Sequence, residues 1–124
     1  MLIFETSVQE IGAEAALFAD DKMLILFGDN APEGLKEYAY QIIINRAKEE
    51  ITTEMILAIG KTDFKITAVG NLVTKNLNQL GHITMKFTGE TTAELPGTLY
   101  LEGKEIPIIT VGTKITIGQK MRII

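Results

Sequence analysis

His82 is the only histidine and Ser7 the only serine in this chain of 124 residues, and cysteine and tryptophan are absent. Imidazole is the one side chain whose ordinary pKa lies near neutrality, so single-residue acid–base or nucleophilic chemistry points first to His82, then to the sixteen carboxylates. As a nucleophile His82 would need one ring nitrogen unprotonated and open, with the other held by an acceptor that fixes the tautomer. The structural alternative is a strand histidine bonded to a neighbouring carbonyl. Without cysteine there is no disulfide framework, thiolate nucleophile or cysteine-type zinc site, and one imidazole falls short of the usual catalytic zinc set. A Ser–His–Asp triad would have to join Ser7 to His82, and neither stands in a nucleophile-elbow motif. P-loop, dinucleotide-binding and EF-hand signatures are also missing. Asp20-Asp21 and Lys48-Glu49-Glu50 read as solvated charge. Paired carboxylates of the glycosidase kind need spatial proximity, which a sequence does not display.

The surroundings of His82 are unusual in charge. No acid occurs between Asp63 and Glu90, whereas sixteen acids spread evenly would put about three in such a window. Lys65, Lys75 and Lys86 lie in that stretch. It would tolerate a doubly negative phosphoryl group, and a helix N-terminus near Asn71 could hold an anion.

The elements that must carry these residues are mostly strands. Isoleucine, threonine and valine number 18, 14 and 4, and β-branched side chains favour pleated surfaces. Leu2, Phe4 and Val8 alternate with polar residues in a first strand, and Met23 to Phe27 form a second, continuous enough to be buried on both faces. Gly28 to Gly34 is a loop. A strand is expected near Tyr38–Arg46 after a loop or helical turn. Glu54–Ile59 and Asp63–Val69 form a hairpin about Gly60-Lys61-Thr62. One helix is expected at about residues 72–80, capped by Asn71, with Val73, Leu77 and Leu80 as its apolar stripe and Gly81 as its left-handed stop. Strands resume at His82–Phe87, Thr98–Leu101 and Lys114–Ile117. The fold class is therefore all-β: a small closed or partly open β-barrel with one short helix, in a single domain over residues 1–124.

A net charge of −4 and a pI near 5.0 disfavour nucleic acid as a partner. No signal peptide or membrane-length apolar run is present, so no direct membrane insertion is expected, and the absence of cysteine adds to a cytoplasmic assignment. Edge strands would leave a homodimer open.

Three segments together carry a family resemblance. They are Phe64-Lys65-Ile66-Thr67-Ala68-Val69-Gly70, Asn76-Leu77-Asn78-Gln79-Leu80-Gly81-His82-Ile83-Thr84 and Glu94-Leu95-Pro96-Gly97-Thr98. This series resembles the glucitol/sorbitol-specific IIA component of the bacterial phosphoenolpyruvate-dependent sugar phosphotransferase system. Weaker similarity runs through Ile11-Gly12-Ala13, Met23-Leu24-Ile25, Ala31-Pro32 and Glu37-Tyr38, so it covers most of the chain. The resemblance implies a cytoplasmic, barrel-like sugar-transport component. It would take a phosphoryl group from the histidine phosphocarrier protein HPr and pass it to the IIB/IIC sugar-permease components. It implies a phosphohistidine and neither metal nor organic cofactor. Family members carry the phosphorylated histidine after the Glu-Tyr pair, in a pattern like I-H-x-H-G. Here that segment reads Gln41-Ile42-Ile43-Ile44-Asn45, with Ile42 and Ile44 at the two histidine positions. His82 matches a different family histidine, beside Leu80-Gly81. Two readings follow: a phosphocarrier with His82 as acceptor, or a non-phosphorylatable relative acting as a binding or regulatory module. An unrelated carboxylate hydrolase ranks last.

Overall fold

Alternating apolar residues at Leu57 and Ile59, Phe64 and Ile66, and Ile115 and Ile117 all point into one interior. The computed structural model describes residues 1–119. Its strands are β1 (Leu2–Ile11), β2 (Met23–Phe27), β3 (Tyr40–Ile42), β4 (Met55–Ile59), β5 (Thr62–Val69), β6 (Ile83–Lys86), β7 (Thr98–Leu101) and β8 (Lys114–Gln119). They close into a barrel in the order β1-β3-β2-β6-β7-β5-β4-β8, and β8 pairs back onto β1. Closure leaves every strand with two neighbours, which removes the exposed edges an open sheet would present. The pairs β2–β3 and β6–β7 are parallel and the others antiparallel. Parallel neighbours require a longer connection than a tight hairpin. Between β2 and β3 the connection contains the helical turn α1 (Glu33–Lys36). The core includes Leu24, Leu26, Leu57, Phe64, Met85, Leu99 and Ile117, with Phe64 edge-on to Phe87 at 5.0 Å. Each such side chain contributes about 1.5–3 kcal/mol by leaving water.

The expected barrel, the hairpin and the helix are present; the helix, α2, spans Val73–Leu80. Several local expectations are corrected. A 3-10 segment at Ala15–Asp21 and α1 accompany α2, so it is not the only helical element. A register shift between Leu2 and Phe4 turns both Ile3 and Phe4 inward and leaves Leu2 exposed, breaking strict alternation. In β2, Leu24, Leu26 and Phe27 are buried, while Met23 and Ile25 are only partly covered. Asn71 does not cap α2: Leu72 occupies the N-cap without a side-chain bond. Backbone carbonyls serve that end instead, with Leu72 donating to Pro96 and Val73 to Gly70. Val73 and Leu77 are fully buried, but Leu80 reaches the surface.

The strand expected near Tyr38–Arg46 shrinks to Tyr40–Ile42 because side chains replace the ladder beyond it. The Thr6 hydroxyl and the Asn45 amide donate to the carbonyls of Ile43 and Glu5, each at 2.6 Å. The Ala47 N–H donates to Asn78 Oδ1 at 2.7 Å, and the Ile51 N–H to Thr74 Oγ1 at 3.1 Å. Residues 43–51 are thus held between β1 and α2 mainly by side-chain partners, with one backbone bond from the Lys48 N–H to the Ile3 carbonyl at 2.8 Å.

Candidate functional site

The Leu26–Ile83 pair ends the β2–β6 ladder, and the same antiparallel register sets Phe27 opposite His82 and Gly28 opposite Gly81. Gly81 adopts φ +66°, the left-handed stop expected from its type, and turns the chain from α2 into β6. The Gly28 N–H donates to the Leu80 carbonyl at 2.8 Å, and the His82 N–H to the Asn76 carbonyl at 3.3 Å. Both backbones at this corner are thereby fixed.

The rings of Phe27 and His82 stack, with centroids 4.2 Å apart and planes 10° from parallel. Phe27 is buried and His82 half-buried. Among the described residues neither ring nitrogen of His82 has a hydrogen-bond partner, and no buried side-chain nitrogen lacks one. Neither nitrogen is thus tied to a carbonyl of residues 1–119, as a structural strand histidine would be, and the acceptor expected to fix the tautomer is equally absent there. Burial of the ring lowers its pKa below the ordinary histidine value and is the only cause of the shift. The imidazole is neutral at pH 7, with one nitrogen lone pair available.

The sign of that shift fixes a pH dependence. As pH falls below the ordinary value of 6.5, the unfolded chain takes up its proton at this position before the folded one does, so folded-state stability declines through that window. Above it both states are neutral here and His82 adds no pH slope. A proton-NMR titration should give one imidazole midpoint, below the ordinary value in the folded protein and back at that value in urea.

The segment that resembles the family's acceptor stretch lies at the same corner. Ile42 is 1% exposed and part of the core, Ile43 is 45% exposed, and Ile44 is half-buried. Gly28 and Gly81 form a notch that Ile44 fills. A Cβ on Gly28 would collide with the Ile44 side chain and stand 2.7 Å from the Leu80 carbonyl oxygen. A Cβ on Gly81 would stand 3.0 Å from the Gly28 nitrogen and 3.3 Å from Ile44 Cγ1. Ile44 thus packs one residue away from the Phe27–His82 stack. A shallow depression of about 360 Å³ beside it is lined by Gln9, Asp29, Gln41 and Ile42 to Ile44.

The lysines of the acid-free stretch are spread over three elements: Lys65, Lys75 and Lys86 stand on β5, α2 and β6. Lys86 lies 3.5 Å from Glu90, whose carboxyl is held below its usual range first by the Thr88 hydroxyl and then by Lys86. The N-terminus of α2 is also the wrong end: His82 follows the C-terminus, about 12 Å away at 1.5 Å per residue. Sequence reasoning missed Phe27, because the residue opposite His82 is defined only by the β2–β6 register. Among the described residues no group of three or more His, Cys, Asp or Glu side chains could hold a metal ion. A larger groove of about 700 Å³, between the end of β1 and α1, includes Glu10, Glu33, Lys36 and Glu37 but not His82.

Comparison with known proteins agrees with the resemblance. The sequence profile of the PTS system glucitol/sorbitol-specific IIA component family matches residues 3–116. The PTS system glucitol/sorbitol-specific EIIA components of Shigella flexneri and Escherichia coli K12 are each 35% identical to this chain over 102 residues, 82% of this chain and 83% of theirs. The crystal structure of a PTS system IIA component from Enterococcus faecalis V583 superposes with a TM-score of 0.81 at 31% identity, covering 95% of this chain and 100% of that one.

Proposed function

Since this chain belongs to the glucitol/sorbitol-specific IIA component family of the phosphotransferase system, we propose that it relays a phosphoryl group from HPr to the IIB/IIC sugar-permease components through His82. The observation that carries this reading is the half-buried imidazole stacked on Phe27, with neither ring nitrogen bonded among the described residues. In the first transfer the His82 lone pair attacks the phosphorus of HPr's phosphohistidine. One N–P bond forms as the donor's N–P bond breaks, and the donor ring recovers its electron pair. In the second transfer a nucleophile of the permease component attacks that phosphorus, the His82 N–P bond breaks, and the imidazole recovers its electron pair. Positioning and hydrogen-bond donors from the docked partner supply the catalysis, and the chain needs no metal or organic cofactor for the step. The setting for such a relay is the cytoplasm, and among the described residues no helix is long and apolar enough to cross a membrane.

A second reading is favoured by a different observation. Ile42 lies in the core and Ile44 fills the Gly28–Gly81 notch, so hydrocarbon occupies both positions where the family pattern has histidine. His82 also follows a helix C-terminus, whose partial negative charge opposes a bound phosphoryl group. On this reading the chain is a non-phosphorylatable module that binds the same partners or regulates them.

Incubation with labelled phosphoenolpyruvate, enzyme I and HPr separates the two, with the Escherichia coli relative run in parallel. Acid-labile label on this chain supports the relay. No label beside a labelled relative rejects it and leaves the binding module.

A further inference from the structure

We propose that Phe27 is the positioning residue of His82: its buried ring, stacked on the imidazole, sets the plane of that ring and leaves its nitrogen-bearing edge uncovered by the stack. The inference rests on the relay through His82 proposed above.

Three observations lead to it. Phe27 is only 6% exposed and stands at the end of a paired strand, so its ring is a fixed surface. The backbone opposite is equally fixed, by the Gly81 turn and by the His82 N–H bond to Asn76. Among the described residues no hydrogen bond holds the imidazole, which leaves the 4.2 Å stack as its observed restraint. A ring lying 10° from parallel at that distance cannot tilt toward its neighbour without steric overlap. Tilting away would give up the stacking contact and expose buried apolar surface.

The orientation matters because an imidazole lone pair lies in the ring plane. In-line attack on phosphorus therefore requires that plane to be aimed at the docked donor. Stacking covers a face, which takes no part in the attack, and spares the edge, which carries both nitrogens. The acceptor that would hold the second nitrogen and fix the tautomer is absent among the described residues, so the stack alone sets the ring plane. Phe27 does not touch the transferred group and acts only through His82.

As the chain's only histidine, His82 gives ring-proton resonances that can be followed without ambiguity. In the wild-type protein these resonances should lie upfield under the Phe27 ring current and show cross-peaks to the Phe27 ring protons. In Phe27→Leu they should move toward the positions of an unstacked histidine, and the titration midpoint should rise toward the ordinary value. The initial rate of labelling by phosphorylated HPr should fall at least about tenfold, within the roughly hundredfold that an ångström-scale misplacement can cost. Phe27→Tyr keeps the stack and should keep shift, midpoint and rate together. If Phe27→Leu loses its dispersed amide spectrum, the wild-type cross-peaks and Phe27→Met carry the test.

Each other result overturns something definite. Wild-type ring protons without the upfield shift or the cross-peaks overturn the stack. A lost ring-current shift with an unchanged labelling rate overturns the positioning role and leaves the relay standing. An unlabelled wild type beside a labelled relative overturns the relay and the role that rests on it.

Discussion

Glutamine in place of His82 should reduce acid-labile phosphate on this chain to background, while the wild-type protein accumulates it from phosphoenolpyruvate, enzyme I and HPr. The expected loss is complete rather than graded, because no second imidazole exists to take over. Both other positions suggested by the family pattern are isoleucines, which carry no nucleophile. Glutamine retains polar edge atoms and much of the volume of the ring. His82 is half-buried and makes no side-chain hydrogen bond among the described residues, so the substitution leaves no buried partner orphaned. The fold should survive, and unchanged amide dispersion would show it. The chemistry of any label also identifies its carrier. A phosphoramidate on histidine hydrolyses in acid, whereas an acyl phosphate on one of the carboxylates is cleaved by hydroxylamine. Full acid-labile labelling of His82→Gln would remove His82 from the relay, and hydroxylamine-sensitive label would move the acceptor to a carboxylate. An unlabelled wild type calls for a different measurement, HPr-induced shifts in its amide spectrum, as the module reading expects.

The barrel was legible because its signals are local. Alternation in β5, the turn at Gly60 and Lys61, and the stop at Gly81 each depend on a few adjacent residues. What the sequence hid depended on partners remote along the chain. The shortening of β3 follows from hydrogen bonds offered by Thr6, Asn45, Thr74 and Asn78, none of which alternation can register. The carbonyl of Pro96 does at the start of α2 what Asn71 was expected to do. His82 was legible as the chain's one imidazole, but its environment was not. Phe27 lies opposite it only through the pairing of Leu26 with Ile83, a register that no local pattern states. The residues carrying the family resemblance also change meaning in three dimensions. Gly70, Pro96, Gly97 and Thr98 contact one another or pair with nearby backbone. These four belong to the framework that starts α2.

That framework yields the largest expected effect on stability. Gly70→Ala should destabilise the protein by roughly 3 kcal/mol, the upper part of the range for overpacking a tight site. Gly70 has no positive φ, so the cost is steric rather than conformational. A Cβ there would stand 2.5 Å from the Leu95 carbonyl oxygen and closer still to that of Pro96. Both obstacles are backbone, which cannot rotate aside as a side chain does. Nor can that backbone move independently. The Pro96 carbonyl accepts from Leu72 at 2.9 Å, the Thr98 carbonyl from Gly70 at 3.0 Å, and the Gly97 carbonyl from Thr84 at 3.2 Å. Relief of the clash would lengthen several of these bonds, at about 0.5–1.5 kcal/mol for each one lost. Gly34→Ala is the matched control. Gly34 lies in α1, has nothing within 4 Å of an added Cβ and has no positive φ. Alanine there should be neutral or stabilising by up to about 1 kcal/mol, because it removes unfolded-state freedom and suits a helix. Urea unfolding of the two variants beside the wild type should therefore move the midpoint strongly down for Gly70→Ala and hold or raise it for Gly34→Ala. Equal small shifts would mean that the Gly70–Pro96 approach is not the constraint described. If it is, His82 should feel it as well, because α2 begins at this loop and ends at the imidazole. In Gly70→Ala molecules that remain folded, the His82 ring protons should lose part of their upfield shift, although the substitution lies at the opposite end of the helix.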